Sequence, residues 1–175
     1  MINPNGHLFK HCPYCGLKNL FPACEKSFVC RECGFKFYLN VAAAAIALIF
    51  NADQQILVTR RKHDPARDML DFPGGFAEPG ESVEACLVRE IKEELNLDIS
   101  NLTYFGSFPS HYLFKKIDYP IMDMAFLCTV NDFSTITPQD DVSDFYFLDI
   151  AQIDAALFGL NSPKLIIRQL QNSHF

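Results

Sequence analysis

Val41 to Phe50 is a ten-residue stretch with no polar side chain. A run of that length between polar neighbours predicts a strand buried on both faces. Asn51-Ala52-Asp53-Gln54 then offers turn chemistry, and Gln55–Arg60 alternates Ile56 and Val58 against Leu57 and Thr59, which together predict a hairpin. A polar loop, His63–Arg67, and a glycine-hinged segment, Asp71–Phe76, lead into a helical period. Ser82 is placed to cap a helix that ends near Leu95, with Asn96 as a left-handed C-cap. Strand-like runs recur at Leu97–Phe108, Ile121–Val130 and Phe145–Leu148. Ser162-Pro163-Lys164, an N-cap and a first-turn proline, opens a last helix running to about Asn172. The pattern is that of an α+β domain, strand-rich with helices packed on it. It contains no internal repeat and no low-complexity stretch.

Before Asn40 the pattern changes. Cys12-Pro13-Tyr14-Cys15 and Cys30-Arg31-Glu32-Cys33 are two C-x2-C pairs 14 residues apart, each followed by glycine (Gly16, Gly34). Two disulfides or a redox pair are alternative readings, but the paired spacing favours four thiolates around a structural Zn2+. So short a segment cannot build a sufficient core, and the metal would supply most of its folding free energy. Cys24 lies off the pattern, and Cys86 and Cys128 read as small buried hydrophobes. The segment resembles a zinc ribbon. The expected organisation is therefore a ribbon over residues 1–39 and a second domain over 40–175.

Composition narrows the function classes. The chain has 175 residues, is 49% hydrophobic and 21% charged, and carries a net charge of −6. Residues 1–40 hold five basic and two acidic groups, a local +3, which leaves −9 for the rest. The net charge argues against broad, non-specific nucleic-acid binding, and four thiolates with a Zn2+ would lower the local +3 to about +1, a poor footprint for nucleic acid. Residues 1–7 have neither a basic n-region nor an apolar h-region, and the longest apolar run is about half a bilayer span. The expectation is a cytoplasmic protein with no membrane partner, in a compartment that keeps its seven cysteines reduced.

The chemistry concentrates in the first long helix. At about 100° per residue, Val83, Leu87, Val88, Ile91 and Leu95 form an apolar sector. Glu94 projects inside that sector, Glu90 lies at its edge and Glu93 just beyond. Three carboxylates at i, i+3 and i+4 repel one another, more so when partly buried, unless a cation sits among them or one is protonated. An ordinary solvated acidic face is the bland reading. The inward phase of Glu94 and the glycine-rich approach favour an oxygen-ligated Mg2+ or Mn2+ and metal-assisted hydrolysis of a phosphoric anhydride.

Gly75-x5-Glu81-x7-Arg89-Glu90-Ile91-x-Glu93-Glu94-x-Asn96-Leu97 resembles the Nudix box, G-x5-E-x7-R-E-U-x-E-E-x-G-U with U aliphatic. The single departure is Asn96 in place of glycine. The resemblance implies a Nudix-type mixed β-sheet sandwiched by helices. It implies Glu90, Glu93 and Glu94 as ligands of divalent ions, with Glu94 foremost and the carbonyl of Gly74 or Gly75 completing the set. Glu81 becomes an outer partner, Arg89 the residue that orients the glutamates, and Glu90 a group that can also position or deprotonate the attacking water. An acidic residue from a later loop serves some members as base or ligand. Asp140, Asp141 and Asp144 are candidates, Asp141 first, although three aspartates before a strand also read as a solvated turn.

The family cleaves nucleoside diphosphates linked to another moiety, so the fold leaves that moiety open. A ribbon ahead of a Nudix domain resembles the layout of NADH pyrophosphatases, and ADP-ribose and NADH are the first candidates. Ser107-Phe108-Pro109 keeps part of their signature, but the chain has no tryptophan. Arg60 and Arg61 suit a polyanionic substrate or a plain basic edge equally well, and Tyr112 suits a stacked base or the core. A nucleotide sensor with the ribbon as reader is the rival from another class, and a housecleaning nucleoside triphosphatase the rival among enzymes. A homodimer stays open.

Overall fold

The computed structural model describes residues 3–172. Those residues divide into two compact units. One holds the chain through Val41 together with Tyr112–Pro120, and the other holds Ala42–His111 and the chain from Ile121 onward.

The first unit is a three-stranded antiparallel sheet in the order β1 (Leu20–Cys24), β2 (Ser27–Cys30), β3 (Lys36–Tyr38). Its core is small: Cys12, Leu20, Phe28 and Cys30, with Phe9 and Phe37 packed against them. The tip 112–120 is fastened here by two bonds of 2.8 Å. The Asn5 side-chain amide donates to the Asp118 carbonyl, and the Asp118 N–H donates back to the Asn5 side-chain oxygen.

In the second unit the buried run is a strand, β4 (Ala42–Ile49), and β5 (Ile56–Arg61) follows it. The two do not form the expected hairpin. One isolated bridge, Phe50 to Ile56, joins them before each enters a different sheet. β5 lies between β10 (Val142–Leu148) and β6 (Leu70–Asp71), while β4 lies between β7 (Gly74–Phe76) and β9 (Ile117–Val130). The cause is packing: both strands are apolar on both faces, and a flat hairpin would leave one face of each to water. Ile46, Leu48, Ile56 and Val58 meet Ile166, Ile167 and Leu170, whereas Ala45, Ala47, Ile49 and Leu57 meet Leu87, Ile91 and Leu95.

β4 pairs with β9 in parallel and with β7 antiparallel, so the sheet is mixed. β8 (Ile99–Phe114) completes it, and both β8 and β9 extend past the lengths expected from hydrophobicity, through Tyr112 and back from Ile121. The helices are α1 (Val83–Leu95) and α2 (Asn161–Asn172). α2 begins one residue before Ser162, so that serine lies inside the first turn and its hydroxyl donates to the Asp123 carboxylate instead of capping. Among the described residues no helix is long and apolar enough to cross a membrane.

Candidate functional site

α1 is fixed at both ends by its own sequence. The Ser82 hydroxyl accepts the Ala85 N–H at 3.1 Å, and Asn96, at φ 53°, turns its N–H back to the carbonyls of Ile91 and Lys92. The buried face carries Cys86, Leu87, Ile91, Glu94 and Leu95. Val88 is not among them; it is 44% exposed. The apolar sector is thus rotated toward Cys86 relative to the expectation, which brings Glu94 to its centre.

Glu94 is 7% exposed and accepts the Gly74 N–H at 2.9 Å. Burial pushes its carboxyl well above the usual carboxylate range, the Gly74 bond opposes that, and the charges of Glu90, Asp71 and Asp141 add to it. Gly74 has φ 141°, and a Cβ there would collide with the Ala45 carbonyl of β4, so only glycine presents its N–H at this point. Gly75 stands against Glu90, whose carboxylate is half-buried and also raised by burial.

Arg89 gathers the remaining acids. Its Nε and Nη2 donate to the two oxygens of Glu81, each at 2.9 Å, and Nη1 donates to Glu90 at 2.8 Å and Glu93 at 3.0 Å. Nη2 also reaches the Phe76 carbonyl of β7 at 3.1 Å. The guanidinium on Glu81, aided by the Glu78 N–H, holds that carboxyl at about 2. One arginine therefore ties three glutamates to the glycine strand, each link a charge-assisted bond.

The loop before β10 closes over the C-terminal end of α1. Gln139 N–H donates to the Glu94 carbonyl at 2.8 Å and Thr137 N–H to that of Leu95 at 3.0 Å. Asp140 and Asp141 follow; the charge of Asp140 raises Glu90 and that of Asp141 raises Glu94. The Asp141 carboxylate is 71% exposed and faces His63 at 3.8 Å. Asp144 lies apart, accepting the Tyr146 hydroxyl at 2.7 Å.

Arg61 donates to Asp71 at 2.7 Å and to the Pro65 carbonyl at 2.7 Å. Arg60 donates to the Tyr146 hydroxyl at 3.1 Å and the Asp68 carbonyl at 2.9 Å. Tyr112 is half-buried and falls in the first unit, while Phe108 is a core residue of the second. Two buried acids escaped the sequence reading. Asp71 takes Arg61 and the Phe72 N–H, and Asp123 takes Ser162, with burial raising both carboxyls, Asp123 to about 6. The available signal was a lone acid inside each apolar run.

In the first unit the thiols of Cys12, Cys15, Cys30 and Cys33 all lie within 4.8 Å of one another. Cys12–Cys33 and Cys15–Cys30 are each 3.8 Å apart, too far for a disulfide. A tetrahedron with metal–sulfur bonds of about 2.3 Å has edges of about 3.8 Å, so the donor set fits one closed metal site. Gly16 and Gly34 N–H groups close the two turns onto the Cys12 and Cys30 carbonyls at 2.9 and 3.0 Å. Among the described residues no carboxylate triad is gathered as tightly as these thiols.

Residues 40–169 match the NUDIX domain. The chain belongs to the NUDIX family. It is 30% identical over 165 residues to the NAD-capped RNA hydrolase NudC of Vibrio atlanticus, covering 92% of this chain and 58% of that protein. It is 32% identical over 98 residues to the protein of the same name from Pseudomonas fluorescens, covering 56% of this chain and 35% of that one. The chain thus spans between a third and three-fifths of the length of these relatives. The NUDIX fold itself recurs in a NUDIX hydrolase structure from Nitrosomonas europaea, at TM-score 0.69 and 19% identity over 95% of this chain and 93% of that one.

Proposed function

We propose that the NUDIX unit is a divalent-metal-dependent pyrophosphohydrolase acting on a nucleoside diphosphate joined to another group. Its favoured substrates are ADP-ribose and NAD-like molecules, the latter including NAD carried on the end of an RNA, as the names of its relatives suggest. The observation that carries this reading is the pairing of two partly or fully buried glutamates, Glu90 and Glu94, with the backbone of Gly74 and Gly75. Buried carboxylates whose charge is disfavoured are relieved by a cation, and all-oxygen donors suit Mg2+ or Mn2+. When bound, such an ion supplies Lewis acidity toward phosphate oxygens.

Glu94 and Glu90, with Glu93 and the Gly75 carbonyl, are the proposed ligands. Arg89 and Glu81 position them: withdrawing the guanidinium would release Glu90 and Glu93 together. Asp141, solvent-facing and close enough to raise Glu94, is the proposed acceptor for the proton of the attacking water. Arg60 and Arg61 are the proposed contacts for substrate charge. In the ribbon, Cys12, Cys15, Cys30 and Cys33 are proposed to hold one structural Zn2+, which fits a reducing compartment such as the cytoplasm.

The test is a hydrolysis panel of ADP-ribose, NADH, NAD+, an NAD-capped oligonucleotide, diadenosine polyphosphates and 8-oxo-dGTP, each with Mg2+, Mn2+ or chelator. Metal-dependent release of a nucleoside monophosphate from one conjugate supports the reading and identifies the group. Silence from folded, zinc-loaded protein would overturn it in favour of a sensor.

A further inference from the structure

We propose that the first unit, ribbon and tip together, is a docking surface for single-stranded RNA. The choice of RNA rests on the function proposed above; the surface itself does not.

The unit sorts its aromatic rings into two sets. Phe9, Phe28 and Phe37 fill its core. A second set faces solvent. Tyr14, 76% exposed, stacks on exposed Phe35 at 5.6 Å between centroids and 15° between planes, leaving its outer face open. Exposed Phe21 lies beneath the Arg31 guanidinium at 3.9 Å. On the tip, exposed Phe114 lies 5.2 Å from the Lys115 ammonium. Tyr14 lies within one cysteine turn and Phe35 directly after the other, so a metal held by the four thiols would fix both turns and lower the ordering cost of stacking on them.

Charge follows the same division. The chain through Val41 carries Lys10, Lys18, Lys26, Arg31 and Lys36 against Glu25 and Glu32, and the tip adds Lys115 and Lys116 against Asp118. The unit is therefore +4 in a chain of net −6, and the other unit is −10. Counting four thiolates and one Zn2+ lowers the first figure to +2. What the fold adds to the ribbon's own charge is the tip, whose two lysines join it only once the chain is folded.

Exposed rings, two of them with a cation alongside, supply the two contacts a single strand needs, stacking for its bases and charge for its phosphates. A second copy of the chain would fit worse: two such surfaces face each other with like charge.

The test is fluorescence anisotropy of the full, zinc-loaded chain with a 12-nucleotide single-stranded RNA that carries no NAD group, without added Mg2+. Saturable binding is expected, weakening about 20-fold between 50 and 200 mM salt if three phosphates are neutralised. Tyr14→Ala with Phe35→Ala should weaken binding at least about ten-fold. Lys115→Gln with Lys116→Gln, which leaves the cysteine turns intact, should flatten the salt dependence. Zinc content and hydrolysis of ADP-ribose should stay at the wild-type level in both. No binding at 50 mM salt, or unchanged affinity in both variants, overturns the proposal. So does sedimentation showing that the aromatic variant splits a dimer while its RNA affinity holds. RNA binding by a protein that hydrolyses nothing would fell the enzymatic reading and leave this surface standing.

Discussion

Gly75 and Glu90 are packed so closely that a methyl group on the glycine would come within 2.5 Å of the glutamate carboxylate. The first residue of the box thus makes room for its central acid. Gly75→Ala is expected to displace Glu90 and lower turnover at least ten-fold, with an overpacking cost of about 1–3 kcal/mol. Wild-type kcat at saturating metal, measured beside thermal unfolding, would remove Glu90 from the reaction.

Glu94→Gln separates charge from shape. The amide oxygen keeps the Gly74 N–H satisfied while the buried negative charge disappears. Turnover should vanish and the metal-free protein should be as stable as the parent or more so, since a desolvated carboxylate no longer has to be accommodated. Calorimetry in chelator and an activity assay check both halves.

Arg89→Lys tests the fork. Lysine keeps the charge but cannot span both oxygens of Glu81 and also reach Glu90 and Glu93. A loss of about 1–3 kcal/mol is expected, with metal affinity falling in parallel. In a double-mutant cycle, Glu81→Gln should add little once Arg89 is changed; full additivity would show that the fork is not one unit.

Asp123 predicts a pH signature. Its folded pKa of about 6 lies above the ordinary aspartate value, so the folded state binds the proton more tightly than the unfolded chain does. That contribution is present in full below the unfolded pKa and is lost as pH rises from about 4 to about 6, amounting to about 3 kcal/mol. Asp123→Asn, which keeps an acceptor for Ser162, should flatten this slope in denaturant titrations between those pH values. An unchanged slope would move the pH dependence to the other carboxyls that burial raises, Asp71, Glu90 and Glu94.

The ribbon predicts one Zn2+ per chain. Cys12→Ser or a strong chelator should unfold the first unit, seen as loss of near-ultraviolet aromatic signal, because its core has few apolar residues beside the cysteines. Absence of zinc by elemental analysis would remove the assignment.

How far these features were legible depends on the range of the forces behind them. Ser82 and Asn96 cap α1 through contacts within a few residues, and the inward turn of Glu94 follows from helical phase, so each was readable from sequence. The partition of β4 and β5 into separate sheets was not, because a turn-like Asn51–Gln54 reports only local geometry while the apolar surface on both faces decides the pairing. Ser162 looked like a cap because serine before proline is one, yet a carboxylate 39 residues away claims its hydroxyl. Val88 was misplaced by one step around the helix, since a small Cys86 serves the core equally well. Asp71 and Asp123 show their role only beside their partners, Arg61 on the neighbouring strand β5 and Ser162 in the first turn of α2.

The Asn5–Asp118 pair ties residues 113 positions apart. Its consequence is genealogical: the small four-cysteine module cannot be gained or shed by a single cut near residue 41. Removing it strands the nine-residue tip of β8 and β9, in which the main chain of Asp118 was met by an asparagine that is no longer there. A lineage that drops the module should therefore also shorten β8 and β9 at the ends that meet in this tip.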